Sequence, residues 1–106
     1  MKTEELIGPT LDWAVAKCLI ENPIPEFDYF FIKNHGNGYG HYSTDWAQGG
    51  PIIERERIEL RDDGDGWMAR GGNGEAQFGP APLIAAMRCY VASKLGDEVE
   101  IPEELK

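Results

Sequence analysis

Side chains that bind metals are concentrated between residues 35 and 45. His35, His41 and Asp45 could ligate a metal ion, but the two histidines are separated by a glycine-rich stretch and the chain holds no third histidine. A catalytic zinc site needs three protein ligands that converge on an open coordination position. The pattern therefore favours loop histidines over a metal centre, and we predict neither a metal site nor a cofactor.

Ser43 lies two residues after His41 and two before Asp45, so the residue types of a nucleophilic hydrolase occur close together in sequence. The G-x-S-x-G motif of hydrolases is absent. Short polar side chains also accept hydrogen bonds from the first N–H groups of a helix, and this explains Ser43, Thr44 and Asp45 better. We expect a helix to begin here, and we predict no catalytic residues and no enzymatic activity.

Two glycine-containing segments match ligand-binding loops only in part. The alternating glycines of residues 36–40 fit neither GxGxxG nor a P-loop. The DDGDG segment at residues 62–66 could begin a calcium loop, but Trp67 stands where an oxygen ligand is required. The first segment is therefore predicted to be a flexible loop and the second a hairpin turn. A small ligand such as a nucleotide, bound by residues 36–45, remains the alternative.

Size, charge and composition restrict the class of protein. The chain has 106 residues and a net charge of −9, and its 42% hydrophobic content is typical of a globular protein. Excess negative charge repels phosphate backbones, so we expect no direct nucleic-acid binding. No apolar run is long enough to span a membrane. Nor does the N-terminal sequence resemble a signal peptide, so a cytoplasmic location is expected.

The acidic residues are concentrated at one end of the chain. Residues 97–106 hold five acidic residues and one lysine, a net charge of −4. We expect residues 1–96 to form a single α+β domain. The last ten residues are then an acidic tail whose few apolar positions could pack on the body of the protein.

Apolar periodicity predicts two main helices. Residues 10–21 carry apolar side chains at helical spacing, and Asn22-Pro23 ends this helix. A last helix opens at the prolines that follow Gly79 and ends at Gly96, a residue suited to a helix C-terminus. Both helices should pack on a small antiparallel sheet. Its strands are predicted from alternating or β-branched and aromatic residues, in a hairpin over 58–70 and in further strands at 76–78 and 29–33.

The segment after Asp45 gives mixed signals. Asp45 and Gln48 have the spacing of a capping box, which predicts a short helical turn. Gly49-Gly50 should break or bend that turn, and a short middle helix should then begin at the following proline and run over 51–57. Two β-branched residues within 51–57 leave a strand as the alternative.

Trp46 is a large aromatic residue among polar and glycine neighbours, an arrangement typical of interface anchors. Burial in the core is the default interpretation for a tryptophan of a small protein and is favoured over a partner contact here. On the first interpretation, we predict a contact surface that consists of Tyr42, Asp45, Trp46, Gln48, Gly49 and Gly50.

Three blocks of sequence, Leu11 to Lys17, Tyr42 to Glu56 and Gly79 to Glu104, resemble the small phage proteins called NinX. That family has no assigned biochemical role, so the resemblance implies a phage protein in the host cytoplasm and no particular reaction. Leu-Asp-x-x-Val-Ala and Tyr-Ser-Thr-Asp-x-Ala are also similar to another phage family, an α-β-α sandwich domain. That second resemblance implies an uninterrupted helix after Asp45, from which Gly49-Gly50-Pro51 departs.

These observations lead to one main functional hypothesis. We predict a phage accessory protein that acts by binding a host or phage protein. The alternatives are a small-ligand binder or enzyme that uses the 36–45 loop, and an acidic mimic of DNA that occupies a basic groove. Whether the chain forms homo-oligomers is left open by its sequence.

Overall fold

The computed structural model describes residues 1–21, 40–71 and 76–105. These residues form the α+β fold that the sequence predicts. Its elements are the helices α1 (Pro9–Glu21), α2 (Trp46–Glu56) and α3 (Pro82–Leu95), the strands β1 (Glu59–Asp62), β2 (Trp67–Arg70) and β3 (Ala76–Gly79), and short 3₁₀ helices at Thr3–Glu5 and Glu103–Leu105. The strand expected at 29–33 and most of the 36–40 glycine loop lie outside the described residues.

The strands form an antiparallel sheet in the order β1-β2-β3. Leu60 pairs with Ala69 in the hairpin, and Ala69 pairs with Gln77 of β3. The hairpin and the third strand are therefore confirmed. Because side chains alternate between faces, Leu60, Trp67 and Ala69 share one face of the sheet, and all three belong to the hydrophobic core or pack against it.

The aspartates of residues 62–66 build the hairpin turn. The side chain of Asp62 accepts a hydrogen bond from the Gly64 N–H at 2.7 Å. The Asp63 N–H donates to the Gly66 carbonyl at 2.9 Å. Gly64 has a φ of +94°, a conformation that suits glycine. The turn therefore accounts for these residues without a bound cation.

Helix α3 packs on the inner face of the sheet, and α1 and α2 pack against α3. Gly79 lets strand and helix approach closely, since a Cβ there would lie 2.8 Å from the Ala85 nitrogen. The apolar stripe predicted for α1 is buried. Cys18 and Cys89 lie in the interior as thiols outside any disulfide. None of the described helices is both long and apolar enough to cross a membrane.

The two ends of the described chain pair with each other. The Thr3 N–H donates to the Asp97 carbonyl at 2.8 Å, and the Val99 N–H donates to the Met1 carbonyl at 2.9 Å. Val99 and Ile101 are buried. The acidic tail therefore lies against the body of the protein along this part of its length.

Helix α2 is continuous from Trp46 to Glu56, so the break predicted at Gly49-Gly50 was wrong, as was the strand alternative. Gly50 lacks the Cβ that a following proline would meet, which eases the usual conflict between Pro51 and a helical preceding residue. Proline also removes the N–H that would donate to the Ala47 carbonyl. Ala47 lies on the exposed side of the helix, where water can replace that donor. An uninterrupted helix is also what the second resemblance implies.

Gly49 serves packing rather than flexibility. A Cβ at Gly49 would lie 2.5 Å from the Tyr42 carbonyl oxygen and 2.6 Å from Leu83 Cδ1, whereas a Cβ at Gly50 would meet nothing within 4 Å beyond its chain neighbours. The glycine at 49 therefore lets α2 approach both the preceding segment and α3.

We expect Gly49→Ala to lower the free energy of unfolding by about 2 kcal/mol, because overpacking forces backbone to shift. Gly50→Ala is the matched control. Its helix-propensity gain of up to about 1 kcal/mol opposes the steric restriction before proline, so its stability should stay within about 1 kcal/mol of the native value. Urea unfolding of the three proteins measures this. Equal stability of the two variants would contradict the packing role of Gly49.

Candidate partner-binding surface

A tight turn over residues 41–45 leads into α2. The His41 carbonyl accepts hydrogen bonds from the Thr44 N–H at 3.2 Å and from the Asp45 N–H at 2.9 Å. Asp45 has an extended conformation, and its Oδ1 accepts from the Ala47 N–H at 2.9 Å. Asp45 is therefore the N-cap of α2, as its position in the sequence predicts.

Gln48 forms hydrogen bonds with residues at both ends of this turn. Its Oε1 accepts from the His41 N–H at 2.8 Å, and its Nε2 donates to Asp45 Oδ2 at 2.9 Å. In an ordinary capping box the third helical residue bonds to the N–H of the cap itself. Here the side chain reaches back to His41 instead. Gln48 is only 4% exposed, and both ends of its amide have partners, so its burial does not leave an unsatisfied polar group.

A second buried bond joins the turn to α1. The Ser43 N–H donates to Asp12 Oδ1 at 2.8 Å, across 31 residues of sequence. Both side chains are buried. Ser43 therefore docks the turn on α1, and of the three residues expected to cap α2, Asp45 is the one whose side chain does so.

Burial sets the electrostatics around Asp12. Desolvation raises the pKa of this carboxyl group, and the hydrogen bond from the Ser43 N–H and the charge of His41 oppose that rise. Burial also raises the pKa of the neighbouring Tyr42 hydroxyl, and the carboxylate of Asp12 adds to this effect. Both groups lie in the interior, and the pKa of each is raised, which favours the uncharged form of each group.

The structure divides the predicted contact residues into two sets. Tyr42, Gln48 and Gly49 lie in the interior, so they support the turn and cannot offer a contact surface. Trp46 is 53% exposed, and Asp45 and Gly50 are partly exposed. We define the Trp46 surface as the exposed and partly exposed residues around this helix start, namely His41, Thr44, Asp45, Trp46, Ala47 and Gly50.

Sequence reasoning missed His41, Thr44 and Ala47 as surface residues. The signal for Ala47 was helical periodicity. In one continuous helix, positions 46, 47 and 50 share a side, and 48, 49 and 52 share the other. Because a break was expected at Gly49-Gly50, the two sides were not separated. The sequence holds no comparable signal for the turn residues His41 and Thr44, because the turn that exposes them is held in part by the bond between Ser43 and Asp12, which are 31 residues apart.

Trp46 differs from the other two tryptophans. Trp13 and Trp67 pack against the hydrophobic core. The indole of Trp46 projects from the first turn of a helix whose start is fixed by its cap and by Gln48. A large amphipathic ring held in this way can enter an apolar pocket and donate its N–H to an acceptor there.

The metal site and the small-ligand site considered from the sequence would both use residues of this turn. In the ranges 1–21, 40–71 and 76–105, no group of three His, Cys, Asp or Glu side chains could hold a metal ion. His35 lies outside the described residues. The pocket that would join His35, His41 and Asp45 therefore stays a prediction.

Comparison with known proteins decides the family. The family model described as "Bacteriophage P22, NinX" matches residues 2–94. The chain belongs to the phage NinX family. The match extends over α1, the Trp46 surface, the sheet and nearly all of α3, and ends before the acidic tail. Membership supports a phage accessory protein and assigns no reaction or partner. A search of curated proteins found no match.

The buried carboxyl group of Asp12 gives a pH prediction. Because its folded-state pKa is raised, folding favours the protonated form, and this contribution is fully present below the ordinary pKa of 3.8. It is lost as pH rises through the folded-state pKa. Asp12→Asn keeps the acceptor for Ser43 and does not titrate, so its stability relative to the native protein should increase over the same pH range.

Urea unfolding of both proteins from below pH 3.8 to pH 7 measures the effect. Asp12→Ala is the companion variant, and we expect it to cost about 1–3 kcal/mol because the buried Ser43 N–H loses its acceptor. A stability difference between native and Asp12→Asn that does not vary with pH would show that the carboxyl group is not desolvated as described.

Proposed function

We propose that this NinX protein is a phage accessory protein that acts by binding a host or phage protein through the Trp46 surface. The observation that carries the proposal is the 53% exposure of Trp46 at a helix start whose preceding turn is held by one buried and one partly buried hydrogen bond. Tryptophan is among the residues that dominate binding energy at protein interfaces. Exposure of one on a fixed support favours an interaction role.

The support beneath Trp46 is already ordered in the unbound protein. Gln48 bonds to the turn at His41, and Asp12 bonds to it at Ser43. Binding costs free energy when loops and side chains must first be ordered. A preorganised turn avoids most of that cost, so a small surface can still bind with useful affinity.

The neighbours of Trp46 leave room for a partner. On the same side of α2, Ala47 has a small side chain and Gly50 has none, and the position that a Cβ on Gly50 would take is open. A partner can therefore approach the ring along the helix. The expected complement is an apolar pocket with a hydrogen-bond acceptor for the indole N–H.

We further propose that the protein acts in the host cytoplasm. Cys18 and Cys89 are buried thiols outside any disulfide, which suits a reducing compartment. Its net charge of −9 favours protein partners over direct contact with nucleic acid.

Affinity capture from infected host cells tests the proposal. Tagged native protein, Trp46→Ala and Ile7→Ala are compared, since Ile7 is 50% exposed outside the Trp46 surface. We expect a partner that native protein and Ile7→Ala recover and that Trp46→Ala loses. With the purified partner, the Kd of Trp46→Ala should rise about 30-fold, the effect of losing an anchor residue.

Equal unfolding midpoints of the three proteins are the control, because Trp46 is exposed and its removal should not affect folding. Recovery of the same proteins with equal affinity by native protein and Trp46→Ala would refute this role of Trp46.

A further inference from the structure

A second surface lies along β3, on the edge that faces away from β2. A groove of about 630 Å³ follows this edge. It lies between the N-terminal 3₁₀ helix and the turn of the β1–β2 hairpin. The residues that give it its character are Glu4, Glu5, Asp63, Asp65, Phe78 and Arg88.

The backbone of β3 turns toward this groove at Phe78. The Gly79 carbonyl faces the β2 side, since it lies close to Gly66. N–H and C=O groups alternate in direction along a strand, so those of Phe78 face the groove. The Arg88 Nη1 donates to the Phe78 carbonyl at 2.7 Å from that side. The Phe78 carbonyl is therefore already bonded to Arg88, and the residues of β3 line the groove.

Arg88 is engaged in holding the groove together. Its Nε donates to the Leu6 carbonyl at 2.8 Å, while Nη1 bonds to Phe78. Burial lowers the pKa of its guanidinium, and the negative charge of nearby Glu4 opposes that decrease. Arg88 thus connects the N-terminal segment to β3, and it lines the groove.

The walls carry four carboxylates, from Glu4, Glu5, Asp63 and Asp65, all exposed. The ion pairs found among the described residues, Arg61–Glu59 and Lys94–Glu56, involve none of them. The groove therefore holds more negative charge than its single arginine balances. A ligand with several positive charges would complement it.

These carboxylates are spread along the groove. Within the described ranges, no three of the side chains that ligate metals come together as a metal ion requires. Phe78 adds a 51% exposed aromatic ring on the same strand. Spaced charges beside an aromatic side chain and a strand edge match an extended peptide with basic and apolar residues.

We propose that this groove binds an extended basic segment of a partner protein. Glu4, Glu5, Asp63 and Asp65 pair with its lysines or arginines, Phe78 contacts an apolar residue between them, and the segment lies along β3. The groove is built from different residues than the Trp46 surface, so this inference stands independently of the proposed function.

Fluorescence anisotropy with a labelled decapeptide, in which lysine alternates with valine or serine, tests the proposal. The intact protein should bind it, more weakly at higher salt. Neutralising the walls should weaken binding about tenfold, since each exposed pair contributes little alone. That variant is Glu4→Gln, Glu5→Gln, Asp63→Asn and Asp65→Asn. A matched control removes the same number of exposed charges elsewhere, by Glu54→Gln, Glu59→Gln, Glu100→Gln and Glu103→Gln.

The control variant should bind within about twofold of the native protein, since charge away from the groove is screened. Phe78→Ala should weaken binding at least about threefold, because an apolar contact is lost. Trp46→Ala should leave it unchanged. Amide chemical-shift changes on titration should cluster in residues 76–80 and 63–66.

Several outcomes would overturn the proposal. Equal loss in the two charge variants would mean that net charge alone attracts the peptide. Shift changes outside the groove would place the peptide elsewhere. Spermine that competes at the same concentration as the peptide would indicate a small polycation as the ligand. Absence of peptide binding at about 1 mM, the weakest affinity that counts as recognition here, would remove the site.

Discussion

The buried side-chain amide of Gln48 needs hydrogen-bond partners for both its oxygen and its nitrogen, and this requirement fixes the segment that carries Trp46. Gln48 meets it by bonding to the His41 N–H and to the Asp45 side chain. Leaving either end unpaired in the interior would cost about 1–3 kcal/mol. The turn before α2 is thus held closed from within. Gly40 fits the same constraint, since its φ is +73° and a Cβ there would lie 2.8 Å from Gln48 Oε1.

The same turn is tied to the rest of the fold by polar and apolar contacts together. Asp12 accepts the Ser43 N–H from α1, and Gly49 lets α2 approach Tyr42 and Leu83 closely. The polar side chains of Asp12 and Gln48 are buried, whereas the large ring of Trp46 is exposed. This exchange is unusual for a small core, because exposed tryptophan loses the free energy that its burial would contribute. The binding role that we propose for Trp46 would account for that arrangement.

The elements that depend on a local sequence pattern were predicted correctly. Apolar spacing located α1 and α3, turn residues located the hairpin, and Asp45 was recognised as a cap. The prediction was wrong at Gly49-Gly50, because the packing of Gly49 against Leu83 outweighs the low helix propensity of glycine. Gln48 was expected at the surface because it is polar, although its partners bury it. The Asp12–Ser43 bond joins residues 31 apart, and the groove along β3 brings together residues 4, 65 and 78. No local pattern reports such pairings.

Amide hydrogen exchange measured by NMR tests the central claim most directly. If Gln48 and Asp12 hold the turn from within, the His41 N–H should be protected from exchange, and the Ser43 N–H, whose bond to Asp12 is buried, should exchange as slowly as those in the middle of α3. The Thr44 side chain and the Trp46 indole N–H should meanwhile remain accessible to solvent. Exchange of the His41 and Ser43 amides at the rate of an unstructured chain would contradict the account, because Trp46 would then project from a mobile loop.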